Sequence, residues 1–331
     1  MRIAVYFLGG TIGMTTGTDR GSESGASGAT PWLDGAALLA GVPGADRLDL
    51  RVEDFRKKSS AHLTFADLLE LRLRARASVM QGAGGVVVVQ GTDSLEETAF
   101  LLDLLWERPE PVVVTGAMRN PSLPGPDGPA NLAAALAVAA SDDCRDLGVL
   151  VAFADEVHAA RSVAKRHASA PDAFVSPDTG PLGRMLEGRP VLHTRVARRS
   201  PLPAPEAITA RVPLLTAVID DDPAVVDAVA QVADGLVVAA FGAGHLRPPV
   251  ADAVAALVPR IPVVLSSRTG AGSVHTRTYG GPGSETDLLG RGLVNAGHLD
   301  GIKARLLLAV LLSTGADRAG VAEAFDRYGG R

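Results

Sequence analysis

VVVVQGTDSLEET, residues 86–98, runs four valines straight into a polar cluster. The valines are continuous rather than alternating, so they read as a strand buried on both faces. Thr92 and Asp93 stand where the apolar run stops, and Ser94–Trp106 reads as the helix that follows. A buried strand feeding a helix through a short turn is the unit of a parallel, helix-covered sheet. The plain reading of the polar cluster is a helix cap, since Asp93-x-x-Glu96 and Ser94-x-x-Glu97 both match a capping box. The sharper reading is an active site, because ligands of such sheets bind beyond the carboxyl ends of the strands.

The same alternation runs outward from this stretch. Ile3–Leu8, Pro111–Thr115 and Gly148–Phe153 read as further strands, and Asp67–Met80 and Asn131–Ala140 as helices. Residues 187–211, EGRPVLHTRVARRSPLPAPEAITAR, are rich in proline and arginine and keep no period, which marks a linker. A second pattern follows, with strands at Leu214–Ile219, Leu236–Phe241 and Pro262–Ser266 and helices at Ala224–Val232, Val250–Val258 and Lys303–Ser313. The expected class is α/β: a larger N-terminal parallel-sheet domain over 1–186, the linker, and a smaller C-terminal α/β domain over 212–331. The stretch 15–29, TTGTDRGSESGASGA, has no apolar residue but alanine and reads as a long mobile loop.

Bulk composition narrows the function. The 331 residues exceed what one core usually holds. A net charge of −5 offers no footprint for nucleic acid or for a polybasic membrane contact. No apolar run is long enough for a transmembrane helix, and the apolar stretch near the N-terminus is too short for a signal peptide, so a cytoplasmic protein is expected. The single cysteine, Cys144, excludes an internal disulfide and a CxxC metal site. Of 32 basic residues only Lys57, Lys58, Lys165 and Lys303 are lysines. Lysine can lose its proton in a protein and arginine effectively cannot, so each lysine is worth locating.

The strand ends carry Gly9-Gly10-Thr11-Ile12-Gly13, Gly91-Thr92-Asp93-Ser94, Gly116-Ala117-Met118-Arg119, and Asp155-Glu156 followed by Arg161 and Lys165. The first lacks both the GxGxxG spacing and the GxxxxGK[ST] of a P-loop, so nucleotide binding has little support. A threonine hydroxyl is a poor nucleophile until a base takes its proton. A lysine kept neutral can do that, and a carboxylate beside it can orient the lysine or hold a substrate ammonium. Thr92, Lys165 and Asp93 form a coherent trio if the fold brings them together.

In order along the chain stand GGTIGM (9–14), QGTDSLEETAF (90–100), VTGAMR (114–119), DGPANL (127–132), RSVAK (161–165), GPLG (180–183), SSRTGAGSV (266–274) and KARLLLAVLL (303–312). This set resembles the bacterial-type, two-threonine L-asparaginase and glutaminase-asparaginase family over nearly the whole chain. The resemblance implies hydrolysis of L-asparagine to L-aspartate and ammonia with no metal or cofactor. It also implies a homo-oligomer, a dimer or a tetramer, with sites at subunit boundaries. It makes Thr11 the nucleophile that forms the acyl-enzyme, Thr92 its activating and oxyanion-stabilising partner, and Lys165 the residue that tunes Thr92. It gives Asp93 to the substrate ammonium and Ser60, or its neighbour Ser59, to the substrate carboxylate. Gly10, Gly91 and Ala117 would supply main-chain contacts.

Three departures from the family pattern stand out. None of Tyr6, Tyr279 and Tyr328 lies in the loop after Thr11, where the family carries a tyrosine. The positions at which a neighbouring subunit supplies an asparagine and a glutamate read His245 and Tyr279. Ala61 follows the serine where a polar side chain often sits. Tyr279 entering from a neighbouring chain would supply the absent phenol; the bland reading is a tyrosine packed in the YGGPG turn. Two other functions compete with an asparaginase. One is a glutaminase-asparaginase of broad specificity, and the other a catalytically weak amino-acid-binding or sensor protein. Pure binding has no need of a lysine placed against a threonine, which favours the enzymes. An amidotransferase partner acting on nucleic acid is disfavoured by the charge.

Overall fold

The computed structural model describes residues 1–13 and 34–330, apart from the side chain of Thr11. Two compact units divide the chain, Met1–Pro201 and Leu202–Arg331. The stretch 15–29 read as a loop lies outside the described residues.

The first unit is built on an eight-stranded sheet. Its strands are β1 (Arg2–Phe7), β2 (Asp49–Asp54), β3 (Gly85–Val89), β4 (Val112–Thr115), β5 (Val149–Phe153) and β6 (Glu156–Ala159). After a small separate ribbon of β7 (Ala164–Lys165) and β8 (Phe174–Val175) come β9 (Gly183–Leu186) and β10 (Arg189–Leu192). The order across the sheet is β10-β9-β6-β5-β4-β3-β1-β2. From β2 to β5 every pairing is parallel, as the continuous valine runs require. At β6, β9 and β10 the pairing turns antiparallel, so the sheet is mixed.

Every residue of β3, β4 and β5 is buried. Helices α1 (Gly35–Ala40) and α4 (Gly128–Ala139) cover one face, where Leu39, Leu132 and Leu136 meet Val5, Val87 and Leu150. Helices α2 (Phe65–Met80) and α3 (Leu95–Leu105) pack against the same strands. Cys144 is buried with the first of these clusters.

The second unit carries a parallel four-stranded sheet of β11 (Leu214–Thr216), β12 (Leu236–Ala240), β13 (Val263–Ser267) and β14 (Val294–Asn295). Around it lie α5 (Pro223–Ala230), α6 (Pro248–Leu257), α7 (Glu285–Gly290), α8 (Gly301–Ser313) and α9 (Arg318–Tyr328). No described helix is long and apolar enough to cross a membrane.

Two local expectations change. The strand read over Leu214–Ile219 stops at Thr216, because the Asp221 carboxylate takes the Val218 N–H at 2.8 Å and turns the chain. The segment 187–211 opens with a hairpin rather than a linker. Glu187 and Gly188, both at positive φ, form the two-residue turn that joins β9 to β10. Residues up to Pro201 thereby belong to the first unit.

Candidate active site

The site forms where β1 and β3 end side by side. Gly10 has φ +105°, and a Cβ there would lie 2.1 Å from the Gly91 nitrogen, so the two strand-end loops meet backbone to backbone. Thr11 opens the short 3-10 turn that follows, which the Gly13 N–H closes onto the Gly10 carbonyl at 3.1 Å. The Thr11 side chain, the expected nucleophile, lies outside the described residues.

The segment after β2 brings Ser60 to the same place. Arg56 and Lys58 donate their N–H groups to the Phe7 and Leu8 carbonyls at 3.0 Å each. Their side chains converge on Asp67, which also accepts from the Thr64 N–H at 3.0 Å. Burial works against the Asp67 charge, but the Lys58, Arg56 and Thr64 donors outweigh it and hold its carboxyl well below the usual range. Ser60 is buried at the start of a 3-10 turn, where its Oγ accepts from the Asp93 N–H at 3.1 Å. Its carbonyl accepts from the Ser94 hydroxyl at 2.7 Å. Ser59 stands one residue earlier and is half-buried.

Thr92 and Lys165 meet across 73 positions of sequence: Nζ donates to the Thr92 Oγ1 at 2.8 Å. The same Nζ lies 3.0 Å from the Asp93 Oδ1. Thr92 is buried, the Lys165 side chain is 15% exposed, and the Asp93 side chain is 66% exposed. The trio is therefore covered at its base and open at its carboxylate. Lys165 sits on the two-residue strand β7, whose partner β8 is anchored by Phe174 against Phe153 with ring centroids 4.7 Å apart. The other lysines are accounted for differently. Lys58 pairs with Asp67, Lys303 is buried against Asp300 at 2.7 Å, and Lys57 is exposed.

The expected capping boxes do not form. Ser94 is the N-cap of α3 and makes no side-chain bond to it. Its hydroxyl goes to Ser60, the Asp93 carboxylate to Lys165, and Glu96 Oε2 accepts the backbone N–H of Lys165 at 3.1 Å. Helix α4 repeats the pattern. Asp127 is its N-cap but takes the N–H groups of Met118 and Arg119, at 2.9 and 2.8 Å. Asn131 then ties three loops together, donating to the Gly116 carbonyl and to Asp127 and accepting from the Ala154 N–H. Ala117, on the loop so held, is buried.

Gly10, Ser60, Gly91, Thr92, Asp93 and Lys165 are thus brought together. Glu96 and Asn131 were missed as site residues. A glutamate in a helix's first turn and an asparagine in a helix carry ordinary explanations, and their partners are remote in sequence. Gln90 was also missed; it is fully buried and its Oε1 has no hydrogen-bond partner among the described residues. A glutamine closing a run of valines was the available signal. Tyr279 and His245 lie in the second unit, with rings 4.9 Å apart, and Tyr279 is 49% exposed. The buried Glu285 accepts the N–H groups of Thr278 and Tyr279 and faces His245 Nε2 at 3.4 Å.

Comparison with known proteins bears on this arrangement. Residues 2–198 match the family model described as Asparaginase, N-terminal, and residues 211–325 the Glutaminase/Asparaginase C-terminal domain. A Probable L-asparaginase of Deinococcus radiodurans is 37% identical, covering 98% of this chain and 97% of its own length. An L-asparaginase of Bacillus licheniformis is 34% identical over 95% and 96%. A Glutaminase-asparaginase of Pseudomonas fluorescens biotype A is 32% identical over 88% and 81%. Among solved structures, a probable cytoplasmic L-asparaginase of Campylobacter jejuni aligns over 99% of both chains, with TM-score 0.85 and 30% identity. With both family domains matched in order and full-length relatives on either side of one-third identity, the chain belongs to the asparaginase family.

Proposed function

We propose that this chain hydrolyses the side-chain amide of L-asparagine, giving L-aspartate and ammonia through an acyl-enzyme. The observation that carries the proposal is the Lys165 Nζ held 2.8 Å from the Thr92 hydroxyl, with Asp93 3.0 Å away. A helix cap needs no lysine.

In the proposed reaction the Thr11 hydroxyl attacks the amide carbon. A C–O bond forms, the C–N bond breaks, and the departing nitrogen takes a proton and leaves as ammonia. Water then attacks the ester, releasing aspartate and restoring the hydroxyl. Thr92 and Lys165 manage the proton of the attacking group. As an ammonium, Lys165 also opposes the negative charge that builds on the tetrahedral oxygen, alongside the amino end of α3. One Asp93 oxygen is engaged by Lys165, and its exposure leaves room for a substrate ammonium. Ser60 Oγ already accepts from Asp93, so its own proton is free to go to the substrate carboxylate. Gly10, Gly91 and Ala117 line the same strand ends. The proposal includes a cytoplasmic homo-oligomer, dimer or tetramer, in which Tyr279 and His245 of a second copy complete the site.

The test is ammonia release from L-Asn, L-Gln and D-Asn over a concentration range, with Lys165→Met beside the native protein. L-Asn is expected to release ammonia, with kcat about a hundredfold lower or more in the variant. No release from any of the three amides sinks the hydrolase reading. One extra methylene discriminates by only about 1–3 kcal/mol, so the L-Gln arm decides between an asparaginase and a glutaminase-asparaginase.

A further inference from the structure

We infer that Glu96 is a positioning residue for Lys165, acting through the lysine's backbone rather than its charge. This rests on the reading of Thr92 and Lys165 given above.

Lys165 lies on a strand of only two residues, in a ribbon outside the eight-stranded sheet. Four rotatable bonds separate its Cα from Nζ, so a 2.8 Å contact with Thr92 demands that the Cα be fixed relative to the end of β3. Glu96 supplies that link. It belongs to the first turn of α3, four residues past Thr92, and it is buried. Its Oε2 accepts the Lys165 N–H at 3.1 Å, 69 positions away. A closed ring results: Thr92, the chain to Glu96, the Glu96 carboxylate, the Lys165 backbone, and Nζ back to the Thr92 hydroxyl. Asp93 grips the far end of the same side chain. The lysine is therefore clamped at its backbone and at its tip by one five-residue stretch, Thr92–Glu96.

The capping explanation for Glu96 does not apply. The Asp93 N–H that a capping box would offer it is given to Ser60 Oγ. A shift of about 1 Å in a reacting group costs on the order of a hundredfold in rate, so a loosened Lys165 should show in kcat.

Steady-state ammonia release from L-asparagine and thermal unfolding are measured for the native protein and for Glu96→Ala, Glu96→Gln, Glu96→Asp and Lys165→Met. Glu96→Ala is expected to lower kcat about tenfold to a hundredfold and to move KM by no more than about threefold. Glu96→Gln keeps an acceptor oxygen at the same reach and should stay within about fivefold of the native kcat. Glu96→Asp keeps the charge but is one methylene short, and should fall like Glu96→Ala. A folded Glu96→Ala protein with native kcat overturns the inference. So does a Glu96→Gln protein as slow as Glu96→Ala, or, should the alanine variant not fold, a Glu96→Asp protein faster than Glu96→Gln. Native kcat in Lys165→Met removes the reading underneath. A slow Lys165→Met beside fast Glu96 variants removes the positioning role alone.

Discussion

Thr92 sits at a junction where two explanations predict different measurements. Its hydroxyl accepts from Lys165, while the N-cap of the following helix is Ser94. Thr92→Val removes the hydroxyl and keeps the branched shape. The expected outcome is a fall in kcat of about a hundredfold or more. Stability should change by less than the roughly 1 kcal/mol that a lost cap costs. Normal turnover with a lowered melting temperature would return Thr92 to the capping reading. The trio was legible in sequence because a hydroxyl, a carboxylate and a scarce lysine each followed a recognisable strand. The use of Glu96 was not legible. Its spacing fits a capping box, and nothing local says that its partner is the backbone of residue 165.

At the scale of elements, α3 and α4 differ from most of their neighbours. Thr64 and Asp67 form a full capping box on α2, and Asp34, Asp222, Ser284, Asp300 and Asp317 each cap their own helix. The helices that follow β3 and β4 instead turn their cap side chains toward neighbouring loops. Stability at those helix starts is exchanged for order at the strand ends. The contact between the ends of β1 and β3 admits no side chain at all. Gly10→Ala must relieve a 2.1 Å overlap with backbone and hold a non-glycine residue at φ +105°. The expected cost is about 2 kcal/mol or more, read by urea unfolding, together with a loss of kcat as the strand ends part. The long valine strands and apolar helices were legible because period and composition agree. Strand β2 was not, since DLRVED is an edge strand with mostly exposed side chains. The β9–β10 hairpin was hidden in a segment whose prolines and arginines read as a linker.

For the whole molecule, acid stability has an identifiable contributor. His158 on β6 is fully buried and bonds Ser176 through Nδ1 at 3.0 Å. Its Nε2 lies 3.3 Å from a Glu156 carboxylate that Arg184 already holds. Burial, aided by the Arg184 charge, pushes the His158 pKa down to about 4. The unfolded chain, titrating near 6.5, therefore binds more protons than the folded one between pH 6.5 and 4. Stability falls as pH drops through that window, by about 3 kcal/mol in total. Asp67 acts at lower pH: its depressed pKa contributes stability above the ordinary carboxylate value that is lost below it. A His158→Gln protein is expected to lose the pH 6.5–4 component, with the more acidic limb intact. Urea unfolding at several pH values, followed by tryptophan fluorescence, measures this, because Trp106 is buried in the first unit. An unchanged slope in the variant would assign the limb to other groups.

Cys144 offers a practical consequence of that same tightly packed interior. Burial pushes its thiol up to about 11, so almost no thiolate exists at neutral pH. Since it is the chain's one cysteine, a second cysteine placed at the exposed Lys57 would be the single thiol open to alkylation. The native protein is in effect a blank background for attaching one fluorophore or spin label. That would let the segment that carries Ser60 to the strand ends be watched directly while asparagine is added.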